Sequence, residues 1–127
     1  MKIKLILPYP PSELLPNRHT HWSVKAKATR EARRDAFLMA LHQESIDSIV
    51  AHPPMDSVAL DITFYPPKGR IADTDSLYSA MKPIIDGGLV DTSIIKDDSP
   101  KVIKLVSLHV GEKSENPRTE IIVEEVE

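Results

Sequence analysis

A chain of 127 residues carrying 16 Lys and Arg, 19 Asp and Glu and no cysteine fits one domain, residues 1–127, long enough to bury roughly two-thirds of its unfolded surface. The absence of cysteine excludes a disulfide framework, a thiolate metal site and a cysteine nucleophile. Apolar residues make up 41% of the chain, and no apolar run approaches the roughly 20 residues a membrane span needs, so a soluble protein with no membrane partner is expected.

The opening stretch MKIKLILPYPPS is broken by prolines and has no small-residue cleavage site, which argues against a secretory signal and for a cytoplasmic location. Charge is unevenly spread. Residues 1–40 hold eight Lys and Arg against three Asp and Glu, whereas the remainder is net acidic, giving −3 overall. A basic front third on an acidic body suits a protein whose carboxylates gather metal ions while another surface meets a polyanion. It also suits many ordinary soluble domains.

In chain order, KIKLIL (2–7) alternates as a strand and is ended by Pro8, Pro10 and Pro11. A proline-rich loop, PYPPSELLPNRHTHW, follows. From Ser23 to Ser45 nothing interrupts a helix, with Val24, Ala28, Ala32, Ala36 and Met39 on its apolar face. Lys27, Arg30 and Arg34 share another face, either a solvated surface or a stripe that contacts phosphates. His19 and His21 read as surface or DNA-facing residues rather than a metal pair, and Trp22 reads as a core anchor for the loop rather than a platform for stacked bases. His42, His52 and His109 carry no assignment.

After the breaker His52-Pro53-Pro54, SVALDITF alternates with Val58, Leu60, Ile62 and Phe64 on one face. PPKGR makes a turn. Leu77, Ala80, Met81, Ile84 and Ile85 then mark a helix from Ser76 to Asp86, bent at Pro83 and stopped by Gly87-Gly88. LVDTSIIKDDSP is a loop or short strand, and KVIKLVSLHV and TEIIVEEVE are two further strands. Four strands and two main helices make an α/β (α+β) domain with a small sheet.

The acidic residues bracket the second helix. Asp75 stands where an N-cap would, which explains one carboxylate and leaves Asp73, Asp97 and Asp98 without a purpose. Asp86, eleven residues on and roughly 16 Å along a helix, is too far to join Asp73 and Asp75 around one ion. The glycine stop allows the chain to return, so that Asp97 or Asp98 meets the helix start. Three such carboxylates are the hard oxygen donors that Mg²⁺ takes alongside water and phosphate. Asp75, Ser79, Lys82 and Asp86 form one polar stripe. Lys82 is either an i,i+4 partner of Asp86 or a positive charge offered to a transition-state phosphate.

LPYPPS, PNRHTHW before a basic helix, DTDSLYSAMKPIIDGGLVD and IIKDDSPKV, in that order, resemble the RusA family of Holliday junction resolvases over residues 5–110. The resemblance implies a small mixed α/β subunit that forms a homodimer and cleaves the phosphodiester backbone of four-way junction DNA with Mg²⁺ in recombination and repair. It identifies Asp73, Asp75 and Asp98 as metal ligands and catalytic residues, with Lys82 the nearest substitute for a family lysine at the place Ser79 occupies. Ser76 also stands where the family usually has Asn. Lys27, Arg30, Arg34, Lys68 and Arg70 become expected phosphate contacts. The alternatives are a junction-binding protein weakened in cleavage, and a carboxylate metal-binding interaction domain with no nucleic-acid partner. A hydrolase of small phosphoesters is disfavoured, since no Gly-rich phosphate loop is present.

Overall fold

The computed structural model describes residues 1–16, 18–43, 52–69 and 71–127. Arg70 and Ser45, both singled out above, lie outside the described residues. Four strands, β1 (Lys2–Pro8), β2 (Val58–Tyr65), β3 (Ile103–Val110) and β4 (Arg118–Glu125), form one sheet in the order β1-β4-β2-β3. β4 runs antiparallel to both β1 and β2, and β2 runs parallel to β3, so the sheet is mixed. With its two main helical segments this is the expected α+β architecture. Among the described residues no helix is long and apolar enough to cross a membrane.

Period-two alternation fixes which side of the sheet is dry. Ile3, Leu5 and Leu7 of β1, Val58, Leu60, Ile62 and Phe64 of β2, and Ile121 and Val123 of β4 are all buried in one core. The one buried polar residue in this layer, Thr119, donates its hydroxyl to the Pro8 carbonyl at 2.9 Å and so carries no unmet hydrogen bond. β1 is an edge strand, and Gln43 covers part of that edge: its side chain accepts from the Ile6 N–H at 2.7 Å and donates to the Ile6 carbonyl at 2.8 Å. One amide thus occupies a backbone pair that would otherwise be open to another strand.

Helix α1 spans Trp22–Leu41 and lays a line of alanines, Ala28, Ala32, Ala36 and Ala40, onto the core. Alanine at every fourth position lets the helix approach its neighbours closely. This corrects two expected core positions, since Val24 and Met39 fall off that line and are exposed. Trp22 is corrected as well: it opens the helix ahead of the first buried position, Ala28, and is 75% exposed rather than anchored in the core. His21 supplies the N-cap, its ring nitrogen Nδ1 accepting from the Ser23 backbone N–H at 3.2 Å.

The expected second helix is three segments. α2 covers Thr74–Ser79, α3 covers Lys82–Ile85, and a π-helical stretch, Asp86–Val90, continues α3. Pro83 lies in the first turn of α3, where its missing N–H is harmless, and the break at Ala80-Met81 removes the clash that a proline would make inside a continuous helix. Gly87-Gly88 does not stop the chain. The two glycines sit inside the π-stretch because the backbone there presses on its neighbours: a Cβ on Gly87 would overlap the Arg33 carbonyl of α1, and one on Gly88 would come within 2.9 Å of Leu7. Beyond them the segment read as a loop or short strand makes one parallel bridge, Met55 to Ile95, and leads through Asp97 and Asp98 into β3.

Candidate functional site

The α2–α3 segment joins two parallel strands, β2 and β3, so it crosses one face of the sheet and brings residues on both sides of the crossover near it. Asp73, not Asp75, occupies the N-cap position of α2, with extended backbone and no side-chain hydrogen bond to the helix. Asp75 lies in the first turn; its Oδ1 accepts from the Ser76 N–H at 3.0 Å, and its carbonyl accepts from the Ser79 hydroxyl at 3.0 Å. Neither carboxylate is tied up by a cation in these contacts.

Asp98 does return to this helix face. Its carboxylate forms an ion pair with Lys82, and Lys82 also lies 3.3 Å from Asp86. The ammonium therefore stands between two carboxylates, the expected i,i+4 partner Asp86 and, in addition, Asp98. The hydrogen bond from Lys82 holds the Asp98 carboxyl below the usual carboxylate range, and the same bond raises the Lys82 ammonium above its ordinary value. Tyr78, Ser79, Lys82, Ile85, Asp98 and Ile103 line a cleft of about 310 Å³. Burial, and secondarily the Asp98 charge, push the Tyr78 phenol up.

Asp97 faces another task. Its Oδ1 accepts from the Ser99 N–H at 2.8 Å, closing a local turn, and these Ser99 bonds lower its carboxyl. Of the acidic doublet, Asp98 is the member directed at the helix.

Asp73 belongs to a neighbouring cleft of about 250 Å³, lined by Leu15, Pro16, Arg18, Ile71, Ala72 and Ser76 with it. The proline-rich loop thereby brings a cation, Arg18, to the Asp73 end of α2. Sequence reasoning gave Arg18 no role, although its place beside the histidines of that loop was a signal. Among the described residues, no three His, Asp or Glu side chains gather into a ready cage for a metal ion. Asp98 meets the polar stripe at Ser79 and Lys82, one turn beyond Asp75, while Asp73 and Asp75 stay at the helix start.

The expected phosphate contacts that lie among the described residues, Lys27, Arg30, Arg34 and Lys68, are exposed. Lys27 lies 3.9 Å from Glu31, Arg34 lies 3.4 Å from Asp35, and Lys68 lies 3.6 Å from Glu115; each is a solvent-exposed pair that competes weakly with a polyanion. Arg30, Arg33, Arg34, Phe37 and Asp91 line an open depression of about 400 Å³ on α1. Arg33 was not anticipated. It makes a two-pronged bond to Asp91, at 2.7 and 2.8 Å, across 58 residues of sequence, a distance no local pattern reveals.

No family model matches the sequence. Over 83 residues the chain is 36% identical to an uncharacterized protein of Xylella fastidiosa (strain Temecula1 / ATCC 700964), a stretch that takes in 65% of this chain and 53% of the relative. The chain thus spans about half the length of that curated relative.

Proposed function

We propose that the protein is a Mg²⁺-dependent, structure-selective endodeoxyribonuclease that resolves four-way DNA junctions as a homodimer, in keeping with its resemblance to the RusA resolvases. The observation that carries this reading is the return of Asp98, from just before β3, onto the helix face that also bears Asp75 and Ser79. Asp98, 23 residues beyond Asp75 in the chain, thus reaches Ser79 and Lys82, one turn further along the same stripe.

Carboxylate oxygens are the donors a hard divalent cation selects, so the chemistry of Asp73, Asp75 and Asp98 fits Mg²⁺. These three residues would hold it, and when bound it supplies the positive charge and the acidified water that phosphodiester hydrolysis requires. The chain's own cations prepare the rest. Lys82 keeps Asp98 ionised and directed at the α2–α3 face. Arg18, beside Asp73, and the exposed Lys27, Arg30 and Arg34 of α1 offset the repulsion between an acidic centre and DNA, which carries one charge per roughly 1.7 Å of duplex axis. Lys68, after β2, and Arg70, two residues on in sequence, are assigned the same role. An isologous pair of subunits would present two centres to opposing strands of a nearly two-fold junction.

A second reading has its own observation. Lys82 already neutralises Asp98, which favours a protein that binds junctions and cuts them slowly or not at all. Incubating the protein in Mg²⁺ with a synthetic four-way junction and with linear duplex of the same sequence separates the readings. The resolvase reading expects paired nicks in the junction and an intact duplex. Binding without nicks supports the second reading, and binding that ignores salt concentration supports a metal-binding interaction domain instead.

A further inference from the structure

We infer that Trp22 is a stacking platform for a DNA base, an inference that rests on the junction-binding reading above and adds a contact to it. Trp22 is the sole tryptophan of the chain and is 75% exposed, the largest exposure among the large apolar side chains described. An indole left in water forgoes the burial that normally makes tryptophan a core or interface residue. Among the described residues the buried face of α1 begins at Ala28, and the N-cap is supplied by His21 rather than by Trp22. Among the described residues its one ring-to-ring contact is with His21, with centroids 5.5 Å apart and planes inclined by 33°. That leaves most of the indole surface open.

The surroundings select the occupant. On one side Trp22 continues into α1, whose Lys27, Arg30 and Arg34 are exposed. On the other side it follows Arg18, which lines the cleft containing Asp73. An exposed aromatic face flanked in sequence by cations on both sides, in the segment with the chain's excess of Lys and Arg, matches the pattern by which proteins hold single-stranded or unpaired bases. A second copy of this chain offers carboxylates to the same cations but no nucleobase to the indole face. At the branch point of a four-way junction, bases lose regular stacking on one side, and an indole can replace the missing neighbour.

Because the chain has a single tryptophan, fluorescence excited at the red edge, where its three tyrosines do not absorb, reports on this residue alone. Titrating the full-length protein with a four-way junction, in the absence of Mg²⁺ so that nothing is cut, is expected to quench that emission in step with binding measured by mobility shift. Trp22→Ala is expected to weaken junction affinity about tenfold. Trp22→Phe should recover most of the loss, and the slope of affinity against salt should not change in either variant, since no charge is removed. Arg34→Ala serves as the contrast and should reduce that slope by about one. Binding with unchanged emission and unchanged affinity in Trp22→Ala overturns the inference while leaving the junction reading intact. A change of oligomeric state in Trp22→Ala, with DNA affinity unaltered, also overturns it and assigns the indole to a subunit contact. Failure of the wild-type protein to bind junction DNA overturns both.

Discussion

Asp91 and Arg33 show what single side chains contribute here. The two-pronged bond from Arg33 holds the Asp91 carboxyl below its ordinary value. A carboxylate lowered on folding stabilises the protein fully above its unfolded pKa, near 3.8, and that contribution disappears as pH falls through the lower folded value. The side chains are 50% and 32% exposed, so solvent weakens the pair despite its good geometry. Asp91→Asn is therefore expected to cost about 1 kcal/mol or less at pH 7. Urea denaturation at pH 7 and at pH 3 checks this: the difference between variant and wild type should shrink at the lower pH, and a difference that persists there would contradict the assignment. Lys82 and Asp98 follow the same logic with both ends considered. Their pairing is complete between the two shifted titrations and is lost below the Asp98 range or above the Lys82 range.

At the scale of elements, the crossover depends on how closely the π-stretch approaches α1. A Cβ at Gly87 would collide with backbone, which cannot swing aside as a side chain end does. Gly87→Ala is expected to destabilise the fold by about 3 kcal/mol, measured by chemical denaturation, and a neutral result would show that the two segments are not in contact. The strands were legible in the sequence because alternation over eight residues leaves one face apolar whatever the neighbours are, as in Val58, Leu60, Ile62 and Phe64. The glycines were misread for a physical reason. A Gly-Gly pair signals a helix end when it supplies backbone freedom, but here both glycines are chosen for absence of bulk against Arg33 and Leu7, which only the tertiary structure supplies. Val24 and Met39 were misread because an alanine line already fills the face they were expected to share. At the site, the polar stripe and the return of Asp98 were legible from spacing. Arg18 and Arg33 were not, since Asp73, which lines one cleft with Arg18, and Asp91, the partner of Arg33, are brought near by the loop and the π-stretch.

For the whole molecule, charge is sorted along the fold. The basic front third supplies β1, the proline-rich loop and α1, while the acidic remainder supplies the crossover that carries Asp73, Asp75, Asp86 and Asp98. The loop containing Arg18 links the two regions at the start of α2. Such an arrangement allows a polyanion to be held by one part of the chain while another part, too acidic to bind it unaided, performs chemistry with a cation. The central claim is that Asp75, in the first turn of α2, and Asp98, which reaches Lys82 and the cleft beside Ser79 one turn further on, act as one reaction centre. Single-turnover cleavage of a four-way junction in Mg²⁺ by the wild-type protein, Asp75→Asn, Asp98→Asn and the double variant tests this most directly. Each single variant should lose on the order of a hundredfold or more in rate, and the double variant should be scarcely slower than the worse single one, because residues that act as a unit do not add. Wild-type cutting by either single variant would contradict the account.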